Sequence, residues 1–223
     1  MRSALHKARD AGAHRSGGPD GDPAEVIAAA QTKLDETSGV NISLETEKVP
    51  GGVSAGIKSA KGVGLHPSAF EGDFELIVNG FQAAAEVIAV DGTTYAKNTL
   101  LLPDWTPIDP ADYGAPDPAT LMEPGQGFSG LLSSFTDGKE GESVRGGEDN
   151  KEIFTEYTGQ LPASAVEALI PTATGAFDAV LTISDAGELR RAELTGVFYE
   201  GSDPITYTLK LDDYGTEKEI TAP

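Results

Sequence analysis

The stretch from Phe70 to Lys97 alternates apolar and polar residues with a period of two. Asn79-Gly80 and Asp91-Gly92 interrupt the alternation, and both dipeptides favour the positive φ angles of tight hairpin turns. Alternation bounded by such turns predicts antiparallel strands with one apolar and one polar face. The apolar face carries Phe70, Gly72, Phe74, Leu76, Val78, Phe81, Ala83, Ala85, Val87 and Ala89. Because alanine fills little volume, something other than this sheet's own side chains must occupy the space above that face.

The same period recurs along most of the chain and predicts roughly nine or ten strands. Leu100 to Ile108 contains Pro103 and Pro107, which predict a strand end or a rim loop rather than a full strand. Thr136 to Asn150 reads as a charged turn or an outer strand. The other predicted strands lie in Val40–Glu45, Val53–His66 (a weaker, glycine-containing outer strand), Lys151–Leu161, Phe177–Ile183, Leu189–Tyr199 and Ile205–Leu211.

Three segments have apolar residues at helical spacing: Pro23–Ser38, Gly127–Phe135 and Ala163–Ile170. Asp22 can cap the first of them, and Gly39 suits its exit. Three short helices with one apolar side each cannot enclose a core among themselves. We therefore expect them to pack on the sheet, in a single α+β domain over residues 23–223. Residues 1–22 are polar and aperiodic, and we interpret them as a disordered leader, vector-derived or left after processing.

The chain is strongly acidic, with a formal net charge of −20. Such a surface repels phosphate backbones, so nucleic acid is not an expected partner. The absence of cysteine excludes disulfides, thiolate metal sites and a cysteine nucleophile. No apolar run approaches the roughly 20 residues that cross a bilayer.

Catalytic and cofactor motifs are not found. Gly127-Phe128-Ser129-Gly130 lacks the spacing of a nucleophile elbow, and Gly138-Lys139-Glu140 lacks the Ser or Thr of a phosphate loop. His66 stands alone, and a single histidine does not make a metal site. We therefore expect neither an enzyme nor a bound cofactor or metal. Trp105, the only tryptophan, is predicted to cover one end of the core, with contact to a ligand as the alternative.

Several motifs occur in an order that resembles the LppX/LprG-type actinobacterial envelope lipoproteins. The resemblance covers about residues 24–215 and rests on order and spacing, because each motif alone is weak. The motifs are DGTTYA from Asp91, LPDWTPIDPADY from Leu102, GFSGLLSSF from Gly127, TGQLPASAVEALIP from Thr158 and AVLTISDAGELRRAELTG from Ala179.

The resemblance implies a strongly curved antiparallel β half-barrel, with helices on its concave face and an apolar cavity between them, similar to the carriers LolA and LolB. It also implies non-catalytic binding and transfer of acylated lipid, a glycolipid or phospholipid, across the bacterial cell envelope. The expected protein is a monomer at the outer face of the cytoplasmic membrane, beside a membrane exporter. Its expected lipid anchor requires a cysteine that this chain does not contain.

Both the alternation and the resemblance nominate residues that would contact acyl chains. For each residue alone, ordinary core packing is the favoured role, so the prediction concerns the set. An alternative is an envelope structural module or chaperone without a lipid cavity, and a lipid hydrolase is a third hypothesis. The predicted lining residues are Phe74, Leu76, Val78, Ala83, Ala85 and Val87 from the sheet and Leu131, Leu132, Phe135, Val166, Leu169 and Ile170 from the helices.

Overall fold

A computed structural model describes residues 21–99, 101–113, 115–147 and 150–223. The predicted leader therefore lies almost wholly outside the described residues. The described part forms one open, antiparallel sheet of eleven strands. The strands are β1 (Gly39–Thr46), β2 (Ala55–Leu65), β3 (Ala69–Val78), β4 (Phe81–Val90), β5 (Thr93–Asn98), β6 (Leu102–Ile108), β7 (Thr136–Gly146), β8 (Glu152–Pro162), β9 (Thr174–Ser184), β10 (Leu189–Val197) and β11 (Ile205–Asp212).

The sheet consists of two meanders, in which each strand pairs with its neighbour in sequence. Its spatial order is β6-β5-β4-β3-β2-β1-β11-β10-β9-β8-β7. Only the pairing of β1 with β11 joins the first six strands to the last five, with Ile42 opposite Leu211 and Leu44 opposite Leu209. The free edges are β6 and β7.

Helices α1 (Pro23–Glu36), α2 (Gly127–Ser133) and α3 (Ala163–Val166) lie against one face of this sheet. Asp22 caps α1, because its side chain accepts a hydrogen bond of 2.9 Å from the Ala24 N–H. One face of α1 joins the main core through Val26, Ile27, Ala30 and Leu34. Two 3₁₀ turns, Pro110–Tyr113 and Pro118–Met122, connect β6 to α2, and the second packs on β2, β3 and β4.

The sheet has eleven strands instead of nine or ten, because β6 and β7 are full strands where the sequence left a rim loop or a charged turn open. β2 was expected on the outside but lies between β1 and β3. A Cβ at Gly64 would stand 2.7 Å from both Ile42 Cδ1 and Met122 Cγ, so close packing requires glycine there. β6 is a full strand that tolerates Pro103 and Pro107 because it lies at the sheet edge.

The helices are shorter than predicted. α1 ends at Glu36, two residues before the predicted end. α3 covers only Ala163–Val166, and the rest of the predicted segment is a turn. Leu169 and Ile170 still reach the core from that turn.

A small second cluster lies on the opposite, outer face of β2 and β4. Ile220 from the C-terminal segment contacts Leu65 and Val90 there, with Val63 and Ile88 around them. Lys218 of the same segment forms a 2.8 Å ion pair with Glu71 of β3. The C-terminal segment that carries Lys218 and Ile220 therefore crosses the outer face of β2, β3 and β4. We call this segment the outer strap.

Candidate functional site

The β3–β4 hairpin exposes apolar residues on the face that elsewhere forms the core. Cross-strand pairs bring together Phe70 with Ala89, Phe74 with Ala85, Leu76 with Ala83, and Val78 with Phe81. Exposure rises steadily toward the turn. Phe70 and Ala89 are 1% and 0% exposed, whereas Val78 and Phe81 are 38% and 78% exposed. The pairs between these extremes are partly buried, so the face is a continuous apolar strip running out of the core. We call the six residues Phe74, Leu76, Val78, Phe81, Ala83 and Ala85 the hairpin face.

The core closes at Phe70, just before the hairpin face begins. Gly62 and Gly72 lie opposite each other on β2 and β3. The Phe70 ring lies over them, because a Cβ at either position would stand within 2.8 Å of Phe70 Cζ. Phe74 follows with its ring centroid 5.8 Å from that of Phe70. Because both positions are glycine, the Phe70 ring can pack directly on the sheet at the edge of the core. Phe74, the next apolar side chain on this face of β3, is partly exposed.

A ring of hydrogen bonds anchors β2 beside the hairpin. Ile57 N–H donates to Tyr199 Oη over 3.0 Å, and the two tyrosine hydroxyls lie 2.7 Å apart. Tyr207 Oη in turn donates to the Ile57 carbonyl, which closes the ring. Burial raises the pKa of both tyrosines, so both stay neutral donors. The contact fixes β2 at the irregular pairing between Ile57 and Ser59.

The structure divides the twelve predicted lining residues into an open and a closed group. On the sheet, five of the six belong to the hairpin face, and Val87 is 9% exposed. The helical residues lie in the main core, where Leu131 and Val166 are 0% exposed and Leu132, Leu169 and Ile170 are 2%, 6% and 5% exposed. Phe135 is partly buried against Gly159 of β8. Phe74 of the open group packs against the core cluster that contains the helical residues, and an enclosed apolar cavity between the two groups is not shown.

One element near the site escaped the sequence reasoning. The second 3₁₀ turn places Ala119 and Met122, both 3% exposed, over β2 to β4 at the inner end of the strip. Asp117 caps this turn and also accepts a 3.1 Å hydrogen bond from the buried Thr94 hydroxyl. This turn lies in a segment rich in proline and aspartate, whose pattern gives no sign of what Ala119 and Met122 would cover.

Two surface clefts lie away from the hairpin face. One, of about 460 Å³, runs between Thr93, Thr94 and Ile108 and the Asp109–Asp117 segment. The other, of about 420 Å³, lies on the outer face and includes Trp105, Asp73 and Glu86. Trp105 is half-buried there. The prediction that it covers an end of the core is therefore wrong, because alternation along β6 turns it away from the helices.

Metal-ligating side chains do not cluster in the part of the chain that the structure describes. Among them, no group of three or more His, Asp or Glu side chains could hold a metal ion. His66 Nε2 lies 3.1 Å from the Leu34 carbonyl and so has a structural contact. Within the same described ranges, no helix is both long and apolar enough to span a bilayer.

Comparison with known proteins decides the family. A sequence profile of the LppX_LprAFG lipoprotein family matches residues 22–221. The chain belongs to this family. The resemblance in the sequence motifs is thereby confirmed.

Several relatives of this chain are proteins named LprG. The lipoarabinomannan carrier protein LprG of Mycobacterium tuberculosis is 29% identical over 220 residues, covering 95% of this chain and 86% of LprG. LprG of Mycobacterium bovis matches equally well. LprG of Mycolicibacterium hassiacum is 30% identical over 109 residues, 48% of this chain and 44% of that protein. The family and relatives bear the names of carriers and lipoproteins, not of enzymes.

Two solved structures share the fold. LprF from Mycobacterium bovis superimposes with a TM-score of 0.70 at 15% identity and covers 92% of this chain and 99% of its own. LppX from Mycobacterium tuberculosis gives a TM-score of 0.63 at 21% identity, with 89% and 98% covered. The predicted antiparallel sheet with few helices is thus confirmed as the family fold.

Proposed function

We propose that this protein binds acylated lipid, a glycolipid or phospholipid, on the hairpin face and carries it in the bacterial cell envelope without catalysis. The observation that supports the proposal is the apolar strip that leaves the core at Phe74 and ends at the exposed Phe81. Exposed apolar patches that adjoin a core are common ligand or membrane sites. The name of the LprG relatives, lipoarabinomannan carriers, fits an acylated cargo.

The strip has the size and chemistry of an acyl-chain site. From Phe74 to Val78 the strand rises about 14 Å at roughly 3.4 Å per residue. Each methylene that leaves water on such a surface contributes about 0.8 kcal/mol, so part of one chain suffices for stable binding. The small Ala83 and Ala85 leave a shallow trough between Phe74 and Phe81.

We further propose that the closed helical group completes the site when ligand is present. Leu131 and Leu132 of α2 and Val166 of α3 would separate from the sheet, which would then curve around the chain as a half-barrel. These helices are short, with seven and four residues, so few side chains must leave the sheet when they separate from it. The acyl chain would replace the contacts that the core loses.

Membership in a lipoprotein family supports work in the cell envelope. We infer a position at the outer face of the cytoplasmic membrane, held by a lipid anchor on the full-length protein. A monomer that receives lipid beside a membrane exporter fits a carrier. Membrane fractionation of the natural host, followed by crosslinking, would test both the position and the exporter.

Acyl binding is testable with one matched pair of variants. Ala85→Trp fills the trough, whereas Ala84→Trp adds the same ring to the exposed outer face of the same strand. We expect Ala85→Trp to weaken a fluorescent fatty-acid probe about tenfold, equivalent to about 1.4 kcal/mol. Ala84→Trp should bind as the unmodified protein does, and circular dichroism should show both variants folded.

Native mass spectrometry of protein purified from an actinobacterial host provides the second measurement. An acylated species should co-purify with the unmodified protein and be depleted in Ala85→Trp. Equal probe binding by both variants, with no co-purifying lipid, would instead favour a structural module or chaperone. That alternative has its own support, since the helical half of the predicted lining set packs as an ordinary core.

A further inference from the structure

The outer face of the β3–β4 hairpin carries a row of charged side chains that crosses four strands. Strand pairing places Lys61 opposite Asp73, Asp73 opposite Glu86, and Glu86 opposite Lys97. Side chains directly opposite on one face lie about 5 Å apart. The row therefore has two carboxylates in the middle and one ammonium at each end, with no net charge.

Trp105 stands beside the Lys97 end of this row and helps to form the outer cleft of about 420 Å³. Lys97 Nζ lies 5.8 Å from the centre of the Trp105 ring. The ion pair between Lys218 and Glu71, two residues along β3 from Asp73, borders the same cleft. A volume of this size falls within the range of small-ligand sites.

The two central carboxylates are poorly paired within the protein. Like charges directly opposite on a sheet destabilise it. Glu86 has only a 4.0 Å contact with Lys97, and both side chains are more than one third exposed. Asp73 makes no side-chain hydrogen bond or ion pair with any other residue in the described ranges. Asp73, and the part of the Glu86 carboxylate that does not face Lys97, can accept hydrogen bonds from a ligand.

The chemistry of the cleft selects among ligand classes. A phosphate would face two carboxylates, and a divalent cation would find only two carboxylate groups, since the described residues contain no cluster of three metal-ligating side chains. Neither therefore matches the row. A sugar ring matches it, because its hydroxyls both donate to carboxylates and accept from ammonium groups, and its C–H face packs on an indole ring. We propose that this outer cleft is a saccharide-binding site, with Trp105 as the platform and Asp73 and Glu86 as the acceptors.

This inference does not rest on the acyl-binding proposal, since the cleft lies on the opposite side of the same two strands. It adds a second recognition surface, for neutral glycan, to a protein proposed to hold the acyl part of its ligand. A probe with no acyl chain tests it independently.

Trp105 is the only tryptophan in the chain, so fluorescence excited selectively at tryptophan reports on this cleft. We would titrate the protein with the soluble sugars α-mannotetraose, maltotetraose and an arabinan tetrasaccharide. At least one should give a saturable change in emission, with half-saturation near about 1 mM. Asp73→Asn and Glu86→Gln should each raise that concentration about tenfold, because each removes a charge-assisted hydrogen bond.

Glu75→Gln is the matched control, because Glu75 lies on the same face of β3 but outside the row. It should leave the titration unchanged. Trp105→Phe, measured by saturation-transfer NMR, should weaken sugar contacts without unfolding the protein. The proposal fails if none of the three sugars gives a saturable signal up to about 50 mM. It also fails if the Asp73→Asn, Glu86→Gln double variant binds as the unmodified protein does.

Discussion

Two regions of the same sheet face have the same alternation but opposite environments. In β9, Leu181 and Phe177 are 0% exposed beneath the helices. In the β3–β4 hairpin, Leu76 is partly buried and Phe81 is 78% exposed. The difference lies in what covers the strands, since α3 packs on β8 and β9 and the second 3₁₀ turn reaches only the inner end of the hairpin. Alternation thus selects a face, while the covering elements decide whether that face is core or binding surface.

The two regions should differ most in how much free energy of unfolding a Leu→Ala substitution costs. Leu181→Ala leaves a cavity in a closed core and should lower the free energy of unfolding by about 2–5 kcal/mol. Leu76→Ala removes a side chain that already contacts water and should cost about 1 kcal/mol or less. Urea unfolding followed by circular dichroism measures both. Similar losses for the two variants would mean that the hairpin face is as closed as the core.

The hydrogen-bonded ring between Ile57 and two tyrosines links the two regions, and breaking it should have the next largest effect. Tyr207→Phe leaves the Ile57 carbonyl and the Tyr199 hydroxyl short of a partner, at a cost of about 1–3 kcal/mol in unfolding free energy. A loss below about 0.5 kcal/mol would show that water replaces the missing hydroxyl.

The same tyrosines predict a pH dependence. Burial raises the pKa of Tyr199, Tyr207 and Tyr214 above the value of about 10 that they have in the unfolded chain. Their contribution to stability is therefore complete below about pH 10 and is lost as the pH rises further. The unmodified protein should lose stability as the pH rises above about 10, and Tyr207→Phe should show a smaller decline over the same range.

The outer strap should matter less, because its apolar cluster is small. Ile220→Ala should reduce the free energy of unfolding by about 1–2 kcal/mol, since the side chain is 9% exposed against Leu65 and Val90. Lys218→Ala, which removes only an exposed ion pair with Glu71, should change it by less than about 1 kcal/mol. The reverse ranking would show that charge, not apolar contact, holds the strap.

The smallest effect on stability is expected at the tip of the hairpin. Phe81→Ser should leave the free energy of unfolding within about 0.5 kcal/mol, because the ring is already in water. It should nevertheless weaken the fatty-acid probe severalfold, since it removes the outer end of the apolar strip. A variant that loses stability but keeps probe binding would contradict the comparison between the two regions.

Much of the sheet could be predicted from the sequence because its strands are joined by local turns. The two hairpin dipeptides at Asn79-Gly80 and Asp91-Gly92 adopt the positive φ angles that their residue types favour. The inner and outer faces of β3 and β4 also follow from a period of two. The family likewise could be recognised from the order of short motifs.

Tertiary contacts account for what the sequence could not provide. In the sequence, Gly64 weakens the strand pattern of β2. The need for glycine there is a tertiary effect, because Met122 packs where a Cβ at position 64 would lie. Trp105 could have faced either side of an edge strand, and only the pairing of β6 decides between them. Which predicted lining residues are covered depends on where short helices settle, and such helices take their stability from packing rather than from local sequence.

The pairing of β1 with β11 also has a kinetic consequence. Every other strand pair joins neighbours in sequence, so each meander can assemble from local hairpins, but this seam brings Asn41 to Asp212. Closing so long a loop is entropically costly and is typical of proteins that fold in milliseconds to seconds. We expect stopped-flow refolding to show the seam as the slow step, with Leu209→Ala slowing folding more than Ala192→Gly does. The chain would then complete its sheet only after its last strand is available.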